Sequence, residues 1–274
     1  MTLKIHFLGT AAAEGFPNAF CRCEHCTKAR ELGGKNIRTR TSAIMDDVIK
    51  FDYSPDSYMQ ALRDNIDLGA IEHLLVTHSH SDHYNAADLE CRREGIAHGL
   101  QHPMHIYGND TVMHHTRAAI GRFEGQRYQF HLLRPFETFA MGDARVTPLL
   151  ADHDRMETCL LYVIEKEGKK LLYGHDSGWF PDATWAWLKG KNLDCAILDC
   201  THGYTGNSRD RNHMCVETVL EVQREFQKEN ILKPEGQIVV THFSHNSKLL
   251  HEDFVRIFSP VGILPAYDGL IINI

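Results

Sequence analysis

The chain has 274 residues, of which 43% are hydrophobic and 24% are charged, so it can bury a full core and is not expected to be disordered. Its formal net charge of −7 argues against a broad surface for nucleic acid or anionic membrane, although a local basic patch is compatible with it. No segment approaches the length of a transmembrane helix.

The predicted elements alternate between short strands and helices along the chain. Strand patterns cover residues 3–8, 42–51, 73–77, 104–107, 130–133, 145–150, 159–165, 170–173, 195–198, 237–241 and 270–274. Helical periodicity covers residues 55–65, 86–96, 110–122, 185–188 and 214–228. A polar turn that contains Gly168 predicts a hairpin over residues 159–173. No repeat or linker divides the chain, which predicts a single domain of the α/β (α+β) class over residues 1–274, with two mixed sheets and outer helices.

The segment THSHSDHYN, at positions 77–85, directly follows an apolar run. His78 and His80 are two residues apart, so in extended backbone their side chains share a face, and Asp82 and His83 lie on the following turn. Imidazole and carboxylate groups are costly to bury without partners, and a metal ion is a partner for all of them. The pattern HxHxDH therefore predicts a metal site at a strand end, with one ion beside His78 and His80 and another beside Asp82 and His83.

This segment resembles the signature of the metallo-β-lactamase superfamily of hydrolases, and the later ligand positions of that family follow in order. LLADHD (149–154), LLYGHDSG (171–178) and IVVTHFSH (238–245) each place a polar residue just after an apolar strand. The resemblance implies a four-layer αβ/βα sandwich of two mixed sheets with outer helices. It also implies that His153 and His242 are metal ligands and that Asp176 bridges two ions.

Neighbouring residues compete with two of these assignments. His175 stands next to Asp176, and Asp152 and Asp154 flank His153. Imidazole and carboxylate ligands suit Zn²⁺ and Mn²⁺ alike, so the sequence leaves the identity of the metal open.

The implied ligand set predicts hydrolytic chemistry. A carboxylate such as Asp176 that bridges two ions about 3.5–4 Å apart leaves space for a shared hydroxide, with Asp82 as a further catalytic ligand. Asp52, in the segment IKFDYSPD, resembles an early aspartate of the family that supports the site. An ordinary polar residue at a strand end explains Asp52 equally well.

The segment FCRCEHC, at positions 20–26, is the second unusual stretch. Cys21, Cys23 and Cys26 offer three thiolates in a short loop, and in a reducing compartment this spacing favours a structural zinc over a disulfide. A cytoplasmic location is expected, because the first residues run into a strand pattern and lack the features of a signal peptide. A tetrahedral zinc site needs a fourth ligand, for which His25 is awkwardly placed between two of the cysteines.

The segment LGTAAAEGFPNAFCRCEHC, at positions 8–26, is similar to the amino-terminal segment of the PhnP-type phosphodiesterases, and a related opening occurs in PqqB proteins. The PhnP resemblance implies that His245, three residues after His242, completes the zinc site. That zinc would tie the N-terminal loop to the loop that carries His242. The other five cysteines lack metal-like spacing and are predicted to be core thiols.

The segment CTHGYTGNSRDRNHMCVETV, at positions 200–219, lies between a strand and the clearest helix. Asn212 or His213 is expected at the beginning of that helix, where the helix dipole and free N–H groups favour phosphate. His213 matches the histidine of PhnP-type enzymes that contacts the substrate phosphate, and its counterpart in tRNase Z is a candidate proton donor. His202 is a rival on the same loop, and Arg209 and Arg211 are candidates for binding a substrate anion.

Three functions are compatible with these residues. We expect a dinuclear-metal hydrolase of a small phosphodiester, with a cyclic ribosyl or nucleotide-like group, that holds two Mn²⁺ or Zn²⁺ ions and one structural Zn²⁺. A tRNase Z-like RNA 3′-processing enzyme is the alternative, since THFS (241–244) resembles the last motif of that family, but the acidic chain has no tRNA-binding arm. The third function is that of a PqqB-like metal-binding protein without hydrolytic activity. Nucleic acid and membrane partners are therefore not expected, and a homodimer stays open.

Overall fold

Two seven-stranded β-sheets lie face to face in the computed structural model, which describes residues 2–274. The first sheet contains β1 (Lys4–Gly9), β2 (Ser42–Met45), β3 (Ile49–Phe51), β4 (His73–Leu75), β5 (Met104–Gly108), β6 (Tyr128–Leu132) and β14 (Ile271–Asn273), in the order β14-β1-β2-β3-β4-β5-β6. The second sheet contains β7 (Phe139–Met141), β8 (Ala144–Leu150), β9 (Leu160–Lys166), β10 (Lys169–Gly174), β11 (Leu193–Asp199), β12 (Leu232–Thr241) and β13 (Ile263–Pro265), in the order β13-β12-β11-β10-β9-β8-β7.

Each sheet is antiparallel on one side and parallel on the other. In the first sheet β14, β1, β2 and β3 pair antiparallel, and β3 to β6 pair parallel. In the second sheet β7 to β10 pair antiparallel, and β10 to β13 pair parallel. Loops that follow parallel strands leave a sheet at the same edge, which is where α/β proteins place their functional residues.

The outer faces of the two sheets are covered by α2 (Ser57–Asp64), α3 (Asp110–Ile120), α4 (Asp182–Leu188), α5 (Val216–Lys228) and α6 (His251–Phe258). Helix α1 (Glu24–Leu32) instead packs against the N-terminal loop, where its Cys26 and Ala29 share a cluster with Ala11 and Phe16. One apolar core lies between the sheets, where Phe51 of β3 stacks on Tyr173 of β10 at 4.1 Å between ring centroids. A second core joins α5 to β11 and β12, and a third joins α3 to β4 and β5. The predicted four-layer fold of two mixed sheets with outer helices is confirmed.

Two predicted elements have a different form in the structure. Residues 42–51 form the hairpin of β2 and β3 instead of one strand, because Asp46 and Asp47 both adopt positive φ angles, of 51° and 62°, and turn the chain. The predicted helix at 86–96 is a 3₁₀ helix over Ala86–Arg92. The hairpin predicted over residues 159–173 is confirmed as β9 and β10.

Four elements were not predicted, namely α1, α6, β7 and β13. The two strands have only three residues each, and a pattern of that length carries almost no periodicity. Helix α1 begins at Glu24, inside the cysteine segment of residues 20–26 that was expected to be a loop. No helix within residues 2–274 combines the length and apolarity needed to cross a membrane.

Candidate metal centre

The loops after several strands of both sheets converge on one buried cluster of imidazoles and carboxylates. Asp52 follows β3, and the HxHxDH segment follows β4, both in the first sheet. His153 follows β8, Asp176 follows β10 and His242 follows β12, all in the second sheet. The site therefore lies at the edge where the two sheets meet, and neither sheet alone could build it.

His78, His80 and His153 form a first group, in which one ligand atom from each residue lies within 4.8 Å of the other two. Their rings are 4.5–5.0 Å apart between centroids. Within residues 2–274, the buried Nε2 of His78 has no hydrogen-bond partner. A buried imidazole nitrogen without a partner is costly, and a metal ion at this point would satisfy it.

Asp82, His83 and His242 form a second group that meets the same distance criterion of 4.8 Å. The Nε2 atoms of His83 and His242 are 3.3 Å apart, and Asp82 Oδ2 lies 3.2 Å from His83 Nε2. All three residues are buried. This donor set of two imidazoles and one carboxylate is typical of Zn²⁺ and Mn²⁺ sites.

The Asp176 carboxylate lies between the two groups. Its Oδ2 is 2.9 Å from His83 Nε2, 3.6 Å from His78 Nε2 and 3.8 Å from His153 Nε2, and its Oδ1 is 2.9 Å from His242 Nε2. The ring of His175 instead packs edge-on against Tyr173, at 4.4 Å between centroids. Of the two neighbours His175 and Asp176, the carboxylate of Asp176 is therefore the one that lies between the two groups.

The outer nitrogens of the site histidines are held by hydrogen bonds. His83 Nδ1–H donates to Asp52 Oδ2 at 2.8 Å, and His80 Nε2–H donates to Asp154 Oδ2 at 2.9 Å. His242 Nδ1–H donates to Thr201 Oγ1 at 2.8 Å. Such partners fix the ring orientation and tautomer of a metal ligand. Asp52 and Asp154 therefore act here as supports of histidines, and Asp152 does not point at the cluster because it pairs with Arg211.

The carboxylates of the cluster are ionised, whereas its imidazoles differ in pKa. Burial acts to lower the pKa of His83 and of His242, but the Asp176 carboxylate raises the first well above its ordinary value and the second to about 10. Burial lowers the pKa of His78 well below its ordinary value, and neighbouring His83 lowers it further. Burial acts to raise the pKa of Asp176, but the adjacent His242 and His83 hold it well below its usual range. Burial also acts to raise the pKa of Asp82, but His83 lowers it, and the net direction is downward. Neutral imidazole and carboxylate are the forms that bind metal, so divalent ions would displace the protons that His83 and His242 hold beside these carboxylates. The donor set of imidazoles and carboxylates fits two divalent ions.

A separate group of sulfur and nitrogen ligands lies behind this cluster. Cys21, Cys23, Cys26 and His245 offer ligand atoms within 4.8 Å of one another, with His245 Nδ1 3.7 Å from Cys23 Sγ. The Cys26 N–H donates to Cys23 Sγ at 3.4 Å and lowers the pKa of the Cys23 thiol to about 6. Burial raises the pKa of Cys26 to about 12. Three cysteines and one histidine form a set typical of structural zinc.

This group connects the N-terminal loop to the loop that carries His242. The backbone of Phe243 exchanges hydrogen bonds with Thr10 and Ala12, at 2.8 and 3.1 Å. His245 supplies the side-chain ligand from the same loop, three residues after His242. A metal bound here would therefore fix the backbone next to His242, a member of the histidine and aspartate cluster.

His213 lies beside the cluster but not at the helix end where it was predicted. Helix α5 begins at Val216 with Cys215 as its N-cap, so His213 precedes the helix and does not use its dipole. Instead, His213 Nδ1–H donates to Asp199 Oδ2 at 2.8 Å. Burial acts to lower the pKa of His213, but the Asp199 carboxylate raises it, and the net direction is upward. His213 precedes the helix because Asn212 turns the chain with a φ of 73° and Cys215 is extended and pairs with Gly203, so the helix begins only at Val216.

Asp199, the last residue of β11, was missed by the sequence analysis. It is fully buried and accepts the N–H of Thr201 at 2.8 Å and of Met214 at 3.1 Å, besides the His213 bond. The available signal was its position in AILDCTH, a carboxylate at the end of an apolar strand, the same feature that indicated Asp176.

Of the other residues predicted to bind substrate, His202 and Arg211 lie near the histidine and aspartate cluster, and Arg209 does not. The His202 ring lies 5.5 Å from the His213 ring and nearly perpendicular to it. Arg211 is exposed and pairs with Asp152, close to His153. Arg209 points elsewhere, since its guanidinium lies 3.5 Å from the Trp179 ring centroid.

Comparison with known proteins identifies the same fold, and a family match spans the same cluster of residues. A family model described as "Beta-lactamase superfamily domain" matches residues 49–243, which include all histidines and aspartates of the cluster. The crystal structure of a diphosphatase from the PhnP family is 25% identical, with a TM-score of 0.77, and the match covers 100% of this chain and 98% of that one. No protein with a curated description is significantly similar to this chain in sequence.

Two further solved structures share the fold at lower identity. Zn²⁺-bound PqqB from Methylobacterium extorquens is 19% identical, with a TM-score of 0.74 and coverage of 99% of this chain and 100% of that one. The short form of human tRNase Z is 18% identical, with a TM-score of 0.68 and coverage of 98% of each chain. At these identities the likeness concerns the fold alone.

Proposed function

This chain belongs to the metallo-β-lactamase superfamily, and from that membership we propose that it is a dinuclear-metal hydrolase that cleaves a small phosphodiester. The observation that carries the proposal is the Asp176 carboxylate, which lies between two groups of three ligands. A carboxylate placed between two ligand groups can hold two ions close together, which is the arrangement that supports hydrolysis by paired metals.

Six residues besides Asp176 would hold the ions. His78, His80 and His153 would hold one, and Asp82, His83 and His242 the other. When bound, divalent ions at these positions supply Lewis-acid activation of water and neutralise charge on a phosphoryl group.

The chain itself supplies a positioned proton donor next to these ligands. Asp199 and Thr201 engage Nδ1 of His213, at 2.8 and 3.2 Å, so Nε2 is the nitrogen that can meet a substrate. The His213 ring is 4.9 Å from the His153 ring and 5.3 Å from the His242 ring, so it adjoins both ligand groups. From this position His213 would donate a hydrogen bond to a phosphoryl oxygen or a proton to the departing alkoxide.

A phosphoanhydride substrate is the second candidate. The PhnP-family protein with 25% identity is described as a diphosphatase, and hydrolysis of a diphosphate needs the same two ions. A tRNase Z-like activity has less support, because the net charge of −7 disfavours a polyanionic RNA. A PqqB-like function without hydrolysis would leave the second ligand group, Asp82, His83 and His242, without a function.

The proposal predicts metal-dependent turnover of an activated phosphodiester. Protein loaded with Mn²⁺ or Zn²⁺ should hydrolyse bis(4-nitrophenyl) phosphate, chelation should abolish the reaction, and adding the metal back should restore it. Release of 4-nitrophenol is the measurement. A fully metallated protein that releases no product from this ester or from a dinucleoside diphosphate would overturn the proposal in favour of a non-hydrolytic role.

We also propose that Cys21, Cys23, Cys26 and His245 bind a structural zinc. Cys23→Ser should reduce the metal content from three to two per chain and lower the melting temperature by at least about 5 °C, because structural zinc contributes folding free energy directly. Elemental analysis and thermal unfolding measure both effects.

Cys91→Ser is the matched control for this experiment. Cys91 is also exposed but lies in the 3₁₀ helix, away from the four residues of the zinc group. Cys91→Ser should keep three metals and the parent melting temperature. If Cys23→Ser also kept three metals and melted like the parent, the zinc assignment would be wrong.

A further inference from the structure

A cavity of about 380 Å³ opens directly beside the first group of metal ligands. It is lined by His80, His153, Asp154, Arg155, Arg211 and Asn212. We propose that this cavity binds a second phosphate group of the substrate, through Arg155, next to the phosphoryl group that is cleaved. The inference rests on the proposed hydrolytic function and favours the second of its two candidate substrates, a phosphoanhydride, in the form of a diphosphate diester.

Arg155 carries the uncompensated positive charge of this cavity. The Asp154 carboxylate is already engaged, by His80 Nε2–H at 2.9 Å and by the Met156 N–H at 2.8 Å. Asp152 is engaged by Arg211. Within residues 2–274, Arg155 has no carboxylate within ion-pair distance, and its side chain is exposed. An anionic ligand is the partner that this guanidinium lacks.

Hydrogen bonds hold the backbone on both sides of Arg155 in place. The two Asp154 bonds anchor the residues on either side of it. The Asp152 carbonyl accepts N–H groups from Gly178 at 3.1 Å and from Asn212 at 3.0 Å, which joins three loops at this wall. A Cβ at Gly178 would lie 2.3 Å from the Asp210 carbonyl oxygen, so the approach of these loops requires glycine. Such preorganisation lowers the entropic cost of binding.

Phosphate is the ligand that suits this geometry. Guanidinium presents planar paired donors that match two phosphate oxygens, and these charge-assisted bonds are the strong ones. The cavity shares His80 and His153 with the catalytic cluster, so a group bound there adjoins the cleaved phosphoryl group. Hydrolysis would add water across one P–O bond. The attacked phosphorus gains the hydroxyl, and the bridging oxygen leaves on the second phosphate with the proton.

The test compares two substrates that differ by one phosphate, bis(4-nitrophenyl) phosphate and P1,P2-bis(4-nitrophenyl) diphosphate. Arg155→Gln should lower kcat/KM for the diphosphate by about tenfold or more and leave the monophosphate diester within about twofold. Arg209→Gln is the matched control, because Arg209 stacks on Trp179 and pairs with Glu221 at 3.2 Å. It should change neither substrate.

Each other outcome is informative. Equal losses for both substrates in Arg155→Gln would mean that Arg155 contacts the cleaved phosphoryl group itself, and no loss for either would mean that the cavity binds no phosphate. Both results would overturn the inference and leave the proposed hydrolytic function standing. A metal-loaded parent that cleaves neither ester would overturn the proposed function and this inference with it.

Discussion

Replacing Asp176 with Asn should reduce turnover of a phosphodiester by at least about 10²–10³-fold while the protein stays folded. The Asp176 carboxylate faces His83, His78 and His242 from a single position between both ligand groups. A neutral amide cannot balance the charge of two cations, so metal content should fall together with activity. Asn is the suitable replacement because the residue adopts a φ of +56°, which Asn tolerates better than Ala. Turnover, elemental analysis and the melting temperature are the measurements.

Asp194→Asn is the matched control for this variant. Asp194 is a half-buried carboxylate of the same sheet that binds Lys233 Nζ at 2.7 Å and the Lys170 N–H at 2.8 Å, at the opposite end of β11 from the cluster. It should retain metals and turnover. An Asp176→Asn variant with parental activity and two catalytic metals would show that the bridging role is wrong.

Replacing His213 with Ala should keep both catalytic metals but lower turnover by about 10²–10⁴-fold. The reason is that the His213 ring, which Asp199 holds, lies 4.9 Å from the His153 ring and 5.3 Å from the His242 ring but belongs to neither of the two groups of three ligands. If His213 mainly protonates the leaving group, the loss should be small for nitrophenyl esters and large for alkyl esters. If it mainly binds the phosphoryl oxygen, the loss should be similar for both. Comparing kcat across a series of leaving groups separates the two roles.

His202→Ala is the control on the same loop. Its ring is nearly perpendicular to that of His213, and among residues 2–274 no carboxylate lies within ion-pair distance of it. We expect a much smaller loss for His202→Ala. The assignment of His213 would be contradicted by an inactive His202→Ala variant together with an active His213→Ala variant.

The sequence by itself was sufficient for the fold class and for the ligand candidates. Strand patterns and the HxHxDH spacing are local features, and polar residues directly after apolar strands must lie at a sheet edge whichever sheet they join. For that reason His78, His80, Asp82 and His83 were indicated by spacing alone. His153, Asp176 and His242 needed the family resemblance, because ordinary loop residues give the same local pattern.

The tertiary structure decided which neighbour of each candidate faces the site. Asp176 instead of His175 lies between the ligand groups, at a residue with a positive φ of 56°. This placement depends on contacts with His83 and His242, in the loops after β4 and β12, which are distant in sequence. His213 was predicted at the beginning of a helix. In the structure it is held instead by a hydrogen bond to Asp199, which lies 14 residues earlier in the chain. Arg155 is a candidate for phosphate binding because the loops after β8 and β11 line one cavity, a contact that the sequence pattern does not show. These contacts depend on strand order and loop packing, which local periodicity does not encode.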